Sequence, residues 1–169
     1  MDAAFSLRPI QREDEEFLYR VYASTRTDEL APVPWSDEQK DSFLRMQFAA
    51  QHRYYQESYT ASSFDVVMVD GERAGRLYIA RWPEELRIID VALLPEYRRR
   101  GIGTALLARL REEAAGNGLP VRIHVERANR ARALYERLGF RVVADRGVYL
   151  FLEWRAPAGA PAESREATT

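Results

Sequence analysis

Hydrophobic positions along this chain change their period several times, and each change marks an element. "FSLRPI" (5–10) alternates briefly and reads as a first strand. "QREDEEFLYRVYAS" (11–24) places Phe17, Leu18, Val21 and Tyr22 at helical spacing, with acids in the first turn to oppose the helix dipole. "APVPW" interrupts the chain. Ser36 then stands three residues before Gln39, a capping-box pattern that predicts a long helix to about Tyr55, with Phe43, Leu44, Met46 and Phe48 as its apolar residues. "FDVVMVD" (64–70), a "DGE" turn and "AGRLYIARW" (74–82) predict a hairpin. "ELRIIDVALL" (85–94) is apolar at nearly every position, the pattern of a strand covered on both faces.

A glycine turn follows, and an apolar helical pattern begins at once in "GIGTALLARL". After "GNGLP", the strand "VRIHVE" (121–126) sets Val121, Ile123 and Val125 on one face. "NRARALYERLGF" predicts a helix closed by Gly139 as the first residue past its end. "RVVAD", a turn at Arg146-Gly147 and "VYLFLEW" predict a last hairpin. The order β-α-α-β-β-β-α-β-α-β-β predicts an α/β (α+β) fold: a central mixed, twisted sheet flanked by two helices on each face. A single domain is expected over 1–155. The Ala/Pro/Glu/Ser/Thr-rich segment 156–169 has little to bury and is expected to be a disordered tail.

Composition narrows the chemistry. The 169 residues favour one domain, and 46 % hydrophobic content supports a core. A net charge of −1 gives no electrostatic case for nucleic-acid or membrane binding. Lysine occurs once, at Lys40, so the basic clusters present planar guanidinium groups. Cysteine is absent, which excludes disulfides, thiolate nucleophiles and cysteine-held metals. His52 and His124 lack metal-ligand spacing, and no metal is expected. Without a membrane-length apolar run or a signal-peptide core, a soluble cytoplasmic protein is the default.

The strongest chemical signal is "LLPEYRRRGIGTALLARL" (93–110). A helix N-terminus leaves backbone N–H groups unpaired at the positive end of the dipole. Glycines at 101 and 103 remove side chains that would keep a phosphate from those donors, and Arg98, Arg99 and Arg100 add charge. The pattern lacks the third glycine of a dinucleotide fingerprint and the Gly-Lys-Ser/Thr of a P-loop. Taken alone, it is an anion site or a solvated arginine run beside an ordinary turn.

Arg98-x-x-Gly101-x-Gly103, after a strand ending in Leu-Pro, resembles the acyl-CoA pyrophosphate loop of the GNAT superfamily of N-acetyltransferases. "NRARALYERLGF" is similar to that superfamily's later motif, and both stand in its order and spacing over roughly residues 5–154. The resemblance implies a GNAT-like fold, acetyl-CoA as co-substrate, and acetyl transfer to a primary amine by direct attack in a ternary complex. It implies that backbone amides from Arg98 through Ile102 to Thr104 hold the pyrophosphate. Val91, Ala92 and Leu93 would pair with the pantetheine arm, and Asn129 would contact the cofactor. Tyr135 would protonate the leaving thiolate, a task its phenol suits because a pKa of ~10 keeps it protonated at neutral pH. Outside the motif, Tyr135 reads as a core aromatic.

The general base stays open. Arg122, His124 and Glu126 share one strand face. Many relatives carry a glutamate where His124 stands, and others carry one where this chain has Arg87, which cannot serve. Asp90 is the only acid inside its strand and is either a hydrogen-bonded structural acid or a catalytic or water-holding one. His124 is a base or a partly exposed sheet residue; Glu126 is a base or orients the Asn129 turn. Trp35, Gln47, Gln51, Tyr54, Tyr55 and Tyr59 line an acceptor pocket or form an aromatic packing face with a wet edge. The expected partner is a small-molecule or peptide amine, with a homodimer left open. The competing function is a non-catalytic acyl-CoA-binding regulatory module, against which Tyr135 argues, since binding alone needs no acid at the sulfur. A scaffold for interactions is a third, disfavoured by the intact "RRRGIG" loop.

Overall fold

The computed structural model describes residues 4–158. Most of the expected tail, 159–169, lies outside the described residues. The element order is the expected one: β1 (Ser6–Pro9), α1 (Glu15–Leu30), α2 (Asp37–Ser58), β2 (Ser63–Val69), β3 (Glu72–Arg81), β4 (Leu86–Leu93), α3 (Ile102–Gly116), β5 (Val121–Glu126), α4 (Arg132–Arg137), β6 (Arg141–Arg146) and β7 (Tyr149–Trp154). The fold is mixed α/β, with strand order β1-β2-β3-β4-β5-β7-β6 in a mostly antiparallel seven-stranded sheet. β4 and β5 are parallel, in the register Leu86↔Val121, Arg87↔Arg122, Ile88↔Ile123.

The chain divides into two compact units. One holds the described residues up to Tyr78 together with Asp90–Ile102; the other holds Ile79–Ile89 and the described residues from Gly103 onward. In the first unit, Phe17, Leu18, Val21 and Tyr22 of α1 pack with Leu44 and Phe48 of α2, Val66 of β2 and Leu94. Full burial of such side chains contributes about 1.5–3 kcal/mol each. In the second, α3 buries Leu106, Leu107, Leu110 and Ala114, β5 buries Val121, Ile123 and Val125, and β7 buries Leu150 and Leu152.

Element ends depart from the sequence reading for local reasons. α1 runs on to Leu30, and within it the Ser/Thr hydroxyls donate back to helix carbonyls: Ser24 Oγ to Val21 O, Thr25 Oγ1 to Tyr22 O and Thr27 Oγ1 to Ala23 O. Its start is delayed to Glu15, because residues 12–14 form a 3₁₀ turn around the Asp14 side chain. The Ser36 capping box forms: Ser36 Oγ accepts from Gln39 N and Gln39 Oε1 accepts from Ser36 N. α4 is only six residues long. Asn129 Oδ1 takes the Ala131 N–H, which holds 129–131 in a turn, and Gly139 at φ +95° ends the element. β4 is not covered throughout: Leu86 and Ile88 are buried, whereas Ile89 to Leu93 are half-buried.

Candidate active site

In the first unit, β4 runs through Asp90, Val91, Ala92 and Leu93 into a 3₁₀ turn and then the arginine-glycine loop. β3 lies tight against this stretch. A Cβ on Gly75 would stand 2.2 Å from Ala92 O and 2.9 Å from Leu93 Cδ2, so only glycine fits. The Leu94 N–H donates to Ala74 O at 2.9 Å. Arg98 folds back: its Nε donates to Leu93 O at 3.0 Å and its Nη2 to Ser24 Oγ at 3.2 Å. Its guanidinium therefore pins the end of β4. Arg99 and Arg100 are exposed, with Arg100 over the Tyr97 ring. Arg99 at φ +60° and Gly101 at φ +80° turn the chain sharply into α3, which starts at Ile102.

Gly103 and Thr104 open the second unit's share of α3. Gly103 has no left-handed backbone, and a Cβ there would meet only Leu134 Cδ2, at an ordinary 3.6 Å. Nothing in the fold around it demands a glycine.

Asp90 faces a cluster that sequence reading saw only in part. Arg76, 3 % exposed, donates from Nη2 to Asp90 Oδ2 at 2.6 Å and to Gln51 Oε1 at 3.1 Å. Tyr55 Oη donates to the same Asp90 Oδ2 at 3.4 Å. Tyr78 lies under Arg76 and edge-on to Tyr55 and Phe64. Burial raises the phenol pKa of Tyr55, reinforced by the Asp90 charge, and pushes that of Tyr78 up to about 12. Both hydroxyls stay protonated at neutral pH. Asp90 was visible as a lone acid, but Arg76 was missed. The signal was present: one charge in "AGRLYIA" and one in "IIDVALL", apolar strands that neighbour each other in sequence.

The remaining acceptor candidates are spread along α2. Tyr54, exposed, packs against Tyr55 and Tyr59. Gln47 accepts from Tyr22 Oη at 3.2 Å. Trp35 packs edge-on to Phe43, beside an open depression of about 600 Å³ near the helix start. At 1.5 Å per residue α2 separates Trp35 from Tyr55 by roughly 27 Å, so one small-amine pocket does not hold both.

In the second unit, His124 is exposed and stacks on Phe151, its cross-strand partner, at 4.5 Å between centroids. Its Nε2 lies 2.8 Å from Arg146 Nη1. Since arginine only donates, Nε2 accepts and the ring is neutral. Partial burial and then the charges of Arg87 and Arg146 hold its pKa below the ordinary histidine value. Arg87 forms a two-point pair with Glu85 between the Trp82 and Phe151 rings. Glu126 is half-buried, and its carbonyl accepts the Asn129 N–H at 2.9 Å. Asn129 is exposed. Tyr135 is 3 % exposed on α4 and packs edge-to-face on Phe140.

Comparison with known proteins agrees with this architecture. Residues 16–140 match the sequence profile of the Acetyltransferase (GNAT) family, and the chain belongs to that family. No curated protein matches the chain significantly. Among solved structures it is similar to PaiA N-acetyltransferase from Thermoplasma acidophilum in complex with coenzyme A, at 21 % identity and TM-score 0.69, covering 90 % of this chain and 99 % of that one. It is also similar to an acetyltransferase from Thermus thermophilus, at 20 % identity and TM-score 0.63 over 92 % and 100 % of the two chains. A third similar fold is the ribosomal-protein-S18-alanine N-acetyltransferase from Escherichia coli, at 19 % identity and TM-score 0.59 over 94 % and 99 %. At these identities the shared property is the fold. The family match makes the protein an acyltransferase. Among the described residues no helix is long and apolar enough to cross a membrane.

Proposed function

We propose that this acetyltransferase moves the acetyl group of acetyl-CoA to a primary amine by direct attack within a ternary complex. The observation that carries the reading is Gly103. It stands in the first turn of α3, beyond the Arg99–Gly101 turn, and neither its backbone nor its packing requires a glycine. A helix start kept bare for no internal reason suits an anion on its amides. Val91, Ala92 and Leu93 support the same reading, since an apolar strand end left half-exposed suits the apolar arm of a thioester cofactor. The residues present therefore fit acetyl-CoA, which supplies the activated acyl group.

In this reading the amides of the Arg98–Thr104 loop bind the pyrophosphate. Arg98 shapes the loop, because its N–H is taken by Pro95 O at 3.2 Å and its guanidinium by Leu93 O and Ser24 Oγ. Arg99 and Arg100 contribute long-range attraction that salt weakens. The N–H near Leu93 polarises the thioester carbonyl, Asn129 contacts the cofactor arm, and Tyr135 donates a proton to the departing thiolate. The proton lost by the amine goes to His124 or Glu126, directly or through water. His124 is the better placed electronically, being neutral, although Arg146 must release Nε2 first. The acceptor is a small-molecule or peptide amine, and the protein works in the cytoplasm, where acetyl-CoA is at hand.

Tyr135→Phe tests the chemistry. The ring's packing on Phe140 survives and only the proton donor is lost. Turnover measured by thiol release should fall ~10²–10⁴-fold with acetyl-CoA affinity little changed. Equal turnover would remove Tyr135 from the mechanism, and a matched loss of binding would make it a cofactor contact.

A further inference from the structure

Four arginine–carboxylate pairs in this protein close both carboxylate oxygens with a single guanidinium. Arg8 does so at Asp14, Arg45 at Glu16, Arg87 at Glu85 and Arg81 at Glu113, each through two nitrogens on two oxygens. This fork is the strongest geometry the pair offers. Asp90 departs from it. Arg76 and Tyr55 both donate to Oδ2, and among the described residues no donor is placed on Oδ1. The guanidinium side fits the same picture. Arg76 divides Nη2 between Asp90 and Gln51, while its buried Nε has no hydrogen-bond partner. A buried arginine that leaves Nε unpaired and makes one contact to a carboxylate is not optimised for stability, since buried pairs of this kind often lose to apolar replacements. What the arrangement does achieve is a fixed oxygen. Asp90 keeps 18 % side-chain exposure against 3 % for Arg76, so the pair has a closed inner end and an open outer one.

Resting on the acetyltransferase reading, we propose that Asp90 Oδ1 accepts a hydrogen bond from the amino group of the acetyl acceptor. Arg76, Tyr55 and Gln51 are then positioning residues that hold the carboxylate. Asp90 immediately precedes Val91–Leu93, the stretch that reading assigns to the thioester arm, so an amine held there is held next to the acyl group. Arg76 also decides which form of the acceptor binds. With Arg76 already neutralising it, the carboxylate attracts an ammonium less than an unpaired one would, and a neutral amine that donates one N–H keeps its lone pair for attack. Proton transfer to Asp90 would leave Arg76 buried without its counter-charge, so Asp90 orients the amine and the proton leaves by another route. The substrate class is an unhindered primary amine, bound neutral.

The test compares wild type with Arg76→Met/Asp90→Leu, an apolar pair that removes both charges together, using propylamine as acceptor, thiol release as turnover and acetyl-CoA binding as a separate readout. The expected result is an acceptor KM raised about tenfold or more, with acetyl-CoA affinity unchanged. Tyr55→Phe, which removes the weaker bond to Oδ2, should raise KM severalfold. A folded double variant with wild-type KM and kcat overturns the proposal and leaves the acetyltransferase reading standing. If the double variant fails to melt cooperatively, Asp90→Glu decides, because it keeps the charge and displaces the oxygen: an unchanged KM overturns the proposal and a raised one supports it. A wild type that binds acetyl-CoA yet acetylates no propylamine also overturns it, since an oxygen that reads only the amino group should take any unhindered amine. A wild type that does not bind acetyl-CoA overturns the acetyltransferase reading itself.

Discussion

Asp14 and Asp90 lie in the same compact unit, and each meets arginine, yet their surroundings finish them differently. Asp14 is buried, and four donors fill its two oxygens: Arg8 through Nη1 and Nη2 at 2.7 and 2.8 Å, the Gln11 N–H at 2.8 Å and Arg73 Nη1 at 3.3 Å. Asp90 is more exposed, has two donors, and both reach one oxygen. The positive partners are reversed as well. Arg8 and Arg73 reach Asp14 from the half-exposed side, whereas Arg76 is the buried member of its pair. A carboxylate whose lone pairs are all satisfied can only hold structure. One with a fixed, unfilled oxygen can still meet a ligand, and it costs the fold a buried charge to keep it so.

The comparison predicts its largest effect on folding at Asp14. Hydrogen bonds from Arg8, and after the opposing cost of burial those from Gln11 and Arg73, bring its pKa down to about 2. A folded pKa below the unfolded value near ~4 gives stability that is fully present above the unfolded pKa and lost as pH falls through the folded one. The contribution at neutral pH is about 2 kcal/mol and should disappear between about pH 4 and pH 2. Asp14→Asn should lower stability by about 2–3 kcal/mol in urea melts at neutral pH, flatten that part of the acid profile and leave turnover per folded molecule unaltered. An acid profile unchanged in Asp14→Asn would refute the assignment of Asp14 as the closed, structural carboxylate.

The next effect comes from the backbone that brings Arg76 to Asp90. Gly75 precedes Arg76, and a Cβ there would collide with Ala92 O, two residues past Asp90. Gly75→Ala should push β3 off β4, costing about 1–3 kcal/mol by overpacking. It should also loosen the Arg76–Asp90 contact and raise acceptor KM in parallel. A fully stable Gly75→Ala variant would mean that the close approach is not needed.

How much of this was legible beforehand follows from the range of each interaction. Period and capping are local, so Ser36 with Gln39, the alternation of "VRIHVE" and the closure at Gly139 could be read directly from neighbouring residues. The full element order and the family resemblance followed from the same short-range patterns. Asp90 was visible as an anomaly, a lone acid in an apolar strand, but Arg76 lies 14 positions away and the pair becomes evident only once β3 and β4 are adjacent. The reach of α1 through Ser24–Thr27 was hidden because Ser and Thr are weak helix formers in isolation; in the helix their hydroxyls are satisfied by carbonyls about one turn back. The proposed acceptor residues were grouped by composition, and the rise of α2 sets them apart.

The smallest effect on the fold should come from Gly103, and it extends the contrast from carboxylates to glycines. Gly75 is required by a backbone oxygen 2.2 Å from its missing Cβ, whereas Gly103 has open space apart from Leu134 Cδ2 at 3.6 Å. Gly103 lies in the first turn of α3, where leucine is a better helix former than glycine by up to about 1 kcal/mol. Gly103→Leu should therefore melt within a few degrees of wild type, or slightly above it. Acetyl-CoA at a hundred times its Kd should stabilise the wild type by about 2.7 kcal/mol through mass action. In Gly103→Leu that gain should vanish, because the side chain projects over the amides proposed to hold the pyrophosphate. The pair of melts, with and without acetyl-CoA, separates the two uses of glycine. An undiminished gain in the variant would remove Gly103 from the phosphate loop, and a collapse of the apo protein would show that the fold needed this glycine after all.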